Sequence, residues 1–211
     1  MLRALLEIGQ TLLTEPVCPL CGNRIREALL ETKLCSGCFE LLGLRSGGCK
    51  GRHPLPWWAV GTYDGALRSC LLKLKRTQSN RILEALIASL KPWLPATDQG
   101  WLVPIPSWKR RHGNLLPARL AEKLGTVKPE LLQRTQARVG QHHLNRRQRL
   151  TNLKGAFHSP ASNQSLDLWL VDDILTTGAT ALAAQTALTD AGHSVHGLIC
   201  LARTPTPRSR R

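Results

Sequence analysis

The stretch LWLVDDILTTGATALAAQTALTDAG, residues 168–192, constrains the fold more than any other part of the chain. Four consecutive apolar residues mark a strand covered on both faces, as strands of a parallel sheet are. Asp172 and Asp173 follow at once, and then a Thr-Thr-Gly turn leads into an alanine-rich segment of helical length, about 178–191. VHGLICLA (195–202) completes a β-α-β unit. In open α/β sheets, ligands bind beyond the carboxyl ends of the strands, so this turn is the first candidate site.

Its chemistry can be read residue by residue. Gly178 can take a positive φ, and the helix behind it offers unpaired N–H groups and the positive end of its dipole. Thr176, Thr177 and Thr180 add hydroxyl donors. Such a nest suits one phosphate monoester, with the two carboxylates placed to hold vicinal hydroxyls beside it. A phosphate next to a diol describes a ribose 5-phosphate. Carboxylates near a phosphate are unfavourable unless they contact hydroxyls or a divalent cation, so Mg²⁺ is expected too. The bland alternative, a capped strand–helix turn with two solvated acids, is disfavoured by the combination of acids, threonines and glycine.

The remaining segments fit an α/β chain with a mostly parallel sheet flanked by helices. WWAVGTY reads as a strand closed by the Asp64-Gly65 turn, and ALRSCLLKLKR and ILEALIASLKPWL have helical spacing. WLVPIP (101–106) is a strand ended by prolines, and LLPARLAEKLG a helix stopped by Gly125. MLRALLEIGQTLLTEP is broken by Glu7 and Gln10, so it reads as a short amphipathic helix and not as a secretion signal. No run of 18 apolar residues suggests membrane insertion, and cytoplasm is the expected compartment. With 42% apolar residues the chain can build a real core.

CPLC and CSGC place Cys18, Cys21, Cys35 and Cys38 as two matched pairs, thirteen residues apart. Each CxxC turn directs two thiolates to one point, and two such turns complete a tetrahedral site suited to structural Zn²⁺. Four thiolates leave no open position for catalysis. Cys49 and His53 could substitute for one of the four, while Cys70 and Cys200 sit in apolar patterns and read as core.

The chain carries a net charge of +15, concentrated in residues 101–155, where twelve Lys and Arg face only Glu122 and Glu130. Such a concentration suits a polyanion, polyphosphate or nucleic acid. Residues 134–155 are polar, basic and without apolar periodicity, the texture of a functional or disordered loop. Of the six tryptophans, Trp101 and Trp169 read as core, and Trp108, among basic residues, is the one placed to stack on a base.

LWLVDDILTTGAT resembles the phosphoribosyl pyrophosphate signature of type I phosphoribosyltransferases. In that family the acids bind the ribose hydroxyls and the Thr/Gly loop binds the 5-phosphate, which implies Asp172, Asp173, Thr176, Thr177, Gly178, Ala179 and Thr180 here. Thr176 stands where purine-salvage members carry a catalytic Asp, which argues against that specificity. The Cys pairs, YDGALRSCLLKLK, VPIPSWKRRHGN, QRTQARVGQHHLNRRQRLTNLKGAF and VDDILTTGAT together, across residues 16–203, are similar to the competence-associated ComF/GntX family. Two departures are the stretch RRHGNLL after the Val-Pro strand and the lone Cys49 where a further Cys pair often follows.

The resemblance implies a domain plan: an N-terminal helix (1–15), a double-zinc-ribbon-like module (16–56), a phosphoribosyltransferase-like domain (57–203) and a disordered basic tail (204–211). It further implies a pyrophosphate loop at Ser107, Lys109, Arg110 and Arg111, and a flexible loop in which Gln141, Arg149 and Asn152 match family positions. Two functions compete. One is Mg²⁺-dependent phosphoribosyl transfer to a nitrogen nucleophile, linked to nucleotide metabolism or DNA uptake. The other is a non-catalytic ribose-phosphate sensor on the same fold that engages single-stranded DNA or DNA-uptake and recombination proteins. His142 and His143 read as solvated residues of a basic loop.

Overall fold

A computed structural model describes residues 16–25, 31–44, 48–95, 100–107, 114–135 and 155–205. The helix expected at 1–15 and residues 206–211 of the tail lie outside them. In chain order the regular elements are α1 (Ser36–Leu41), β1 (Cys49–Gly51), β2 (Trp57–Thr62), α2 (Gly65–Thr77), α3 (Asn80–Leu90), β3 (Trp101–Pro104) and α4 (Leu116–Leu124). They continue with β4 (Gln133–Arg134), β5 (Phe157–His158), β6 (Asp167–Leu175), α5 (Ala179–Asp190) and β7 (Ser194–Arg203).

Five strands form one sheet in the order β1-β2-β7-β6-β3, parallel except for β1, which runs antiparallel to β2 at the edge. The unbroken apolar runs of β6 and β7 follow from burial on both faces. Leu168, Leu170, Val171 and Leu198–Ala202 are all buried. On one face α2, α3 and α4 press Leu71, Leu74, Leu83, Leu86 and Leu120 against Val60, Val171, Ile199 and Leu201. On the other, α5 packs with Leu132 and Phe157 over Val103, Leu170, Leu198 and Cys200.

Local signals set the element ends. Leu67, Cys70, Leu71 and Leu74 form the buried stripe of α2, which stops at Gln78 in the left-handed region. The Ser79 hydroxyl accepts a hydrogen bond from the Ile82 N–H at 3.4 Å and caps α3. Gly125 ends α4 as its position after LLPARLAEKL suggests. One boundary differs from the sequence reading. β6 runs four residues past LWLV to Leu175, so both acids belong to the strand itself, with Asp172 opposite Cys200 on β7.

The thiol-rich segment is joined to the main body by its core. Leu34, Cys35, Cys38, Leu42 and Leu44 belong to the same buried cluster as Leu71, Leu83 and Leu86. Above that seam Glu84 on α3 receives Lys33 at 3.2 Å and Lys123 of α4 at 2.8 Å. These partly exposed ion pairs set direction more than they stabilise.

Because the seam is core, Leu34→Ala opens a cavity shared by both parts. We expect a loss of about 2–5 kcal/mol and a single cooperative transition in chemical denaturation. An early, separate transition of the thiol segment would contradict a shared core.

Candidate functional site

A cavity of about 500 Å³ opens at the carboxyl edge of the sheet, in the size range of small-molecule sites. Asp172 and Asp173 of β6 and Thr180 at the start of α5 line it, with Ser107 after β3. Lys75 of α2, Asn114 ahead of α4, Arg119 of α4 and Arg134 of β4 complete its polar wall. Leu74, Ile105, Leu115 and Pro117 supply an apolar wall.

The two acids differ sharply. Asp173 is buried, forms an ion pair with Lys75, and accepts a hydrogen bond from the Asn114 side-chain amide at 2.7 Å. Burial alone would raise its pKa, but the Lys75 ammonium and the Asn114 amide outweigh burial and hold the carboxyl below its ordinary value. Asp172 moves the other way. Burial and the neighbouring Asp173 charge raise it well above the usual carboxylate range. The pair therefore opposes double ionisation, and Asp172 is the member pushed toward its protonated form.

The turn after β6 is braced on two sides. Gly178 has φ +81°, and a Cβ there would run into the ring of Pro54 in the β1–β2 connection. Arg203, at the end of β7, donates to the carbonyls of Leu175 at 3.0 Å and of Thr176, with its guanidinium 5.8 Å from the Trp57 ring centroid. The Thr177 hydroxyl accepts from the Ala179 N–H at 3.3 Å, so the free turn satisfies one helix N–H internally.

Asp172, Asp173, Thr180 and Ser107 thus meet at one cavity, and Thr176, Thr177, Gly178 and Ala179 form the turn beside it. Trp108, Lys109, Arg110, Arg111, Gln141, His142, His143, Arg149 and Asn152 lie outside the described residues. Sequence reasoning missed Lys75 and Asn114, and held Arg119 and Arg134 only as members of the basic cluster of residues 101–155. Lys75 left a signal: it sits four residues after Leu71 on the buried stripe of α2, where an ammonium needs an anion facing it. The Arg134 guanidinium stacks over Phe157 at 5.0 Å, and its buried Nε has no hydrogen-bond partner among the described residues.

Apart from the cavity, Cys18, Cys21, Cys35 and Cys38 bring their sulfurs within 4.8 Å of one another. Cys49 stands apart from them in β1, and the His53 carbonyl accepts from the Trp57 indole at 3.0 Å. Burial raises Cys18, but backbone N–H groups of Cys35, Leu20 and Cys21 overcome it and bring that thiol down to about 7. Cys38 is raised by burial and by the three thiols around it. A cluster that opposes its own ionisation is relieved by a divalent cation, and these four thiols fit a metal such as zinc. Cys70 and Cys200 are buried in the core.

Together these features define a mixed α/β protein with a cavity at the carboxyl edge of a mostly parallel sheet and a cluster of four thiols that could hold a metal. Among the described residues, no helix is long and apolar enough to cross a membrane. No family model matches the chain. It is 31% identical over 211 aligned residues to the DNA utilization protein YhgH of Salmonella typhi, with 89% of this chain and 90% of that protein covered. The YhgH protein of Escherichia coli K12 is 29% identical over the same coverage. The chain belongs to the ComF-like family of the DNA utilization protein YhgH.

For the thiol cluster, elemental analysis of purified protein is expected to find one zinc per chain. Cys35→Ser should lose that zinc and lower the thermal midpoint of the whole protein, since Cys35 is part of the shared core. Full zinc occupancy in that variant would contradict four-thiol coordination.

Proposed function

We propose that the protein binds phosphoribosyl pyrophosphate, or another ribose 5-phosphate, at the Asp172–Asp173 cavity on a type I phosphoribosyltransferase-like fold, in the service of DNA utilization. The observation that carries this reading is the meeting of two carboxylates, the threonine at the helix start and the cations Lys75, Arg119 and Arg134 in one cavity. The ribose hydroxyls lie against the acids. The 5-phosphate takes the Thr176–Thr180 turn, where it replaces the Thr177 hydroxyl at the Ala179 N–H. Arg134, with a donor to spare, faces the remaining anionic charge. In the catalytic version the bond from the anomeric carbon to the pyrophosphate oxygen breaks, and a bond to a nitrogen nucleophile forms. Mg²⁺ bound to the pyrophosphate would supply charge neutralisation to the leaving group. The thiol cluster holds zinc in a structural role.

A binding role without turnover is the second reading, and a specific observation favours it. Among the described residues lining the cavity, no side chain is left to act as a base. Asp173 is engaged by Lys75 and Asn114, and Asp172 favours its protonated form. On this reading the protein senses a ribose phosphate, while its basic surface engages single-stranded DNA or a DNA-processing partner.

Calorimetric titration of zinc-loaded protein with phosphoribosyl pyrophosphate and Mg²⁺ should give a Kd near the micromolar range (about −8 kcal/mol). Asp172→Asn/Asp173→Asn should abolish it without unfolding the chain. Release of pyrophosphate with any nitrogen acceptor then selects the enzyme. Salt-sensitive binding of a single-stranded oligonucleotide, with no ribose-phosphate binding, overturns the proposal.

A further inference from the structure

The carboxylate pair does not fit a divalent cation. Mg²⁺ demands near-octahedral coordination by oxygens at about 2.1 Å. The Oδ2 of Asp173 already accepts from Lys75 and from Asn114, the latter at 2.7 Å, and its Oδ1 accepts from the Ile174 N–H at 2.8 Å. A carboxylate has about four such positions, and three of those on Asp173 are filled from within the protein. A second cation beside the Lys75 ammonium would also be repelled.

We propose that Lys75 supplies, from inside the chain, the positive charge that a metal would otherwise bring to this pair, and that the two acids have separate tasks. Asp173 is a positioning residue. It ties α2 to β6 through Lys75, and β6 to the start of α4 through Asn114. The Oδ1 of Asn114 accepts from the Leu116 N–H at 3.2 Å, which fixes the amide with its nitrogen toward Asp173. Asp172 is the acid that receives the ligand. It accepts a backbone hydrogen bond from Asp173 at 2.8 Å and lines the cavity. The ligand class that follows is a neutral vicinal diol next to a phosphate monoester, bound without a divalent metal at the diol. This inference rests on the ribose-phosphate reading and narrows it.

Ribose 5-phosphate, which has no pyrophosphate to carry Mg²⁺, is the probe. It is titrated into the zinc-loaded full chain in buffer cleared of Mg²⁺ by ion exchange, without a chelator that would strip the thiol cluster, and again at millimolar Mg²⁺. Equal Kd values within about twofold are expected. Tightening by about tenfold or more with Mg²⁺ overturns the inference but leaves the ribose-phosphate reading standing, whereas no binding in either buffer overturns both. Lys75→Met, nearly isosteric and uncharged, should weaken binding by about tenfold or more without Mg²⁺ and recover in part when Mg²⁺ is added. Wild-type affinity in that variant would overturn the inference. Should Lys75→Met fail to fold, Lys75→Met/Asp173→Asn removes both charges together, and it should fold and bind weakly with or without Mg²⁺. Wild-type affinity in that double variant likewise overturns the inference. Asp172→Asn should lose binding at an unchanged thermal midpoint, and Asp173→Asn should lower the midpoint. The reverse pattern assigns the tasks the other way round.

Discussion

A carboxylate sunk at the end of a central strand has lost its water, and its neighbours have to replace that water. Around Asp173 the replacement comes from three separate elements: an ammonium from α2, an amide from the residue before α4, and the backbone of β6 itself. The need explains why a lysine interrupts the apolar stripe of α2 and why Asn114 stands just ahead of α4. It also explains why β6 continues past its apolar run: the acids are held in the ladder beside Cys200 instead of fraying into a loop. Removing water from one oxygen pair thus organises one wall of the cavity.

The thiol cluster obeys a different constraint. Four sulfurs within a few ångströms cannot all ionise unless a cation gathers them, and the chain hangs this cluster on its main core. Leu34 lies directly before Cys35, and both pack into the cluster that contains Leu71 and Leu74, the residues leading to Lys75. The four-thiol cluster and the cavity are therefore connected through packed side chains of α2, with no flexible linker between them among the described residues.

What could be read from the sequence followed simple periodicities. LWLV and GLICLA could only be strands buried on both sides, and the paired CxxC turns announced a single four-thiol cluster. Asp172, Asp173 and Thr180 were visible because acids and hydroxyls cluster at a strand end, where ligands gather. Lys75 was hidden by its ordinariness: a lysine in a helix rich in lysine and arginine is normally solvated, and only its place on the buried stripe gave it away. Asn114 and Arg134 carried no local pattern, because their roles arise from chain segments far apart in sequence. Asn114 meets an acid 59 residues away. The strand runs on to Leu175 for a related reason, since a pairing partner can keep acids in a ladder that propensity alone would end.

The contact between Pro54 and Gly178 has a consequence of its own. The turn beside the cavity takes its shape partly from a loop over a hundred residues upstream, which fills the space a side chain at 178 would need. Position 178 can therefore accept a larger residue only if position 54 yields at the same time, and even then the side chain is strained at φ +81°. Transplanting the Thr-Thr-Gly turn alone onto another sheet would carry over its letters without the wall that moulds it.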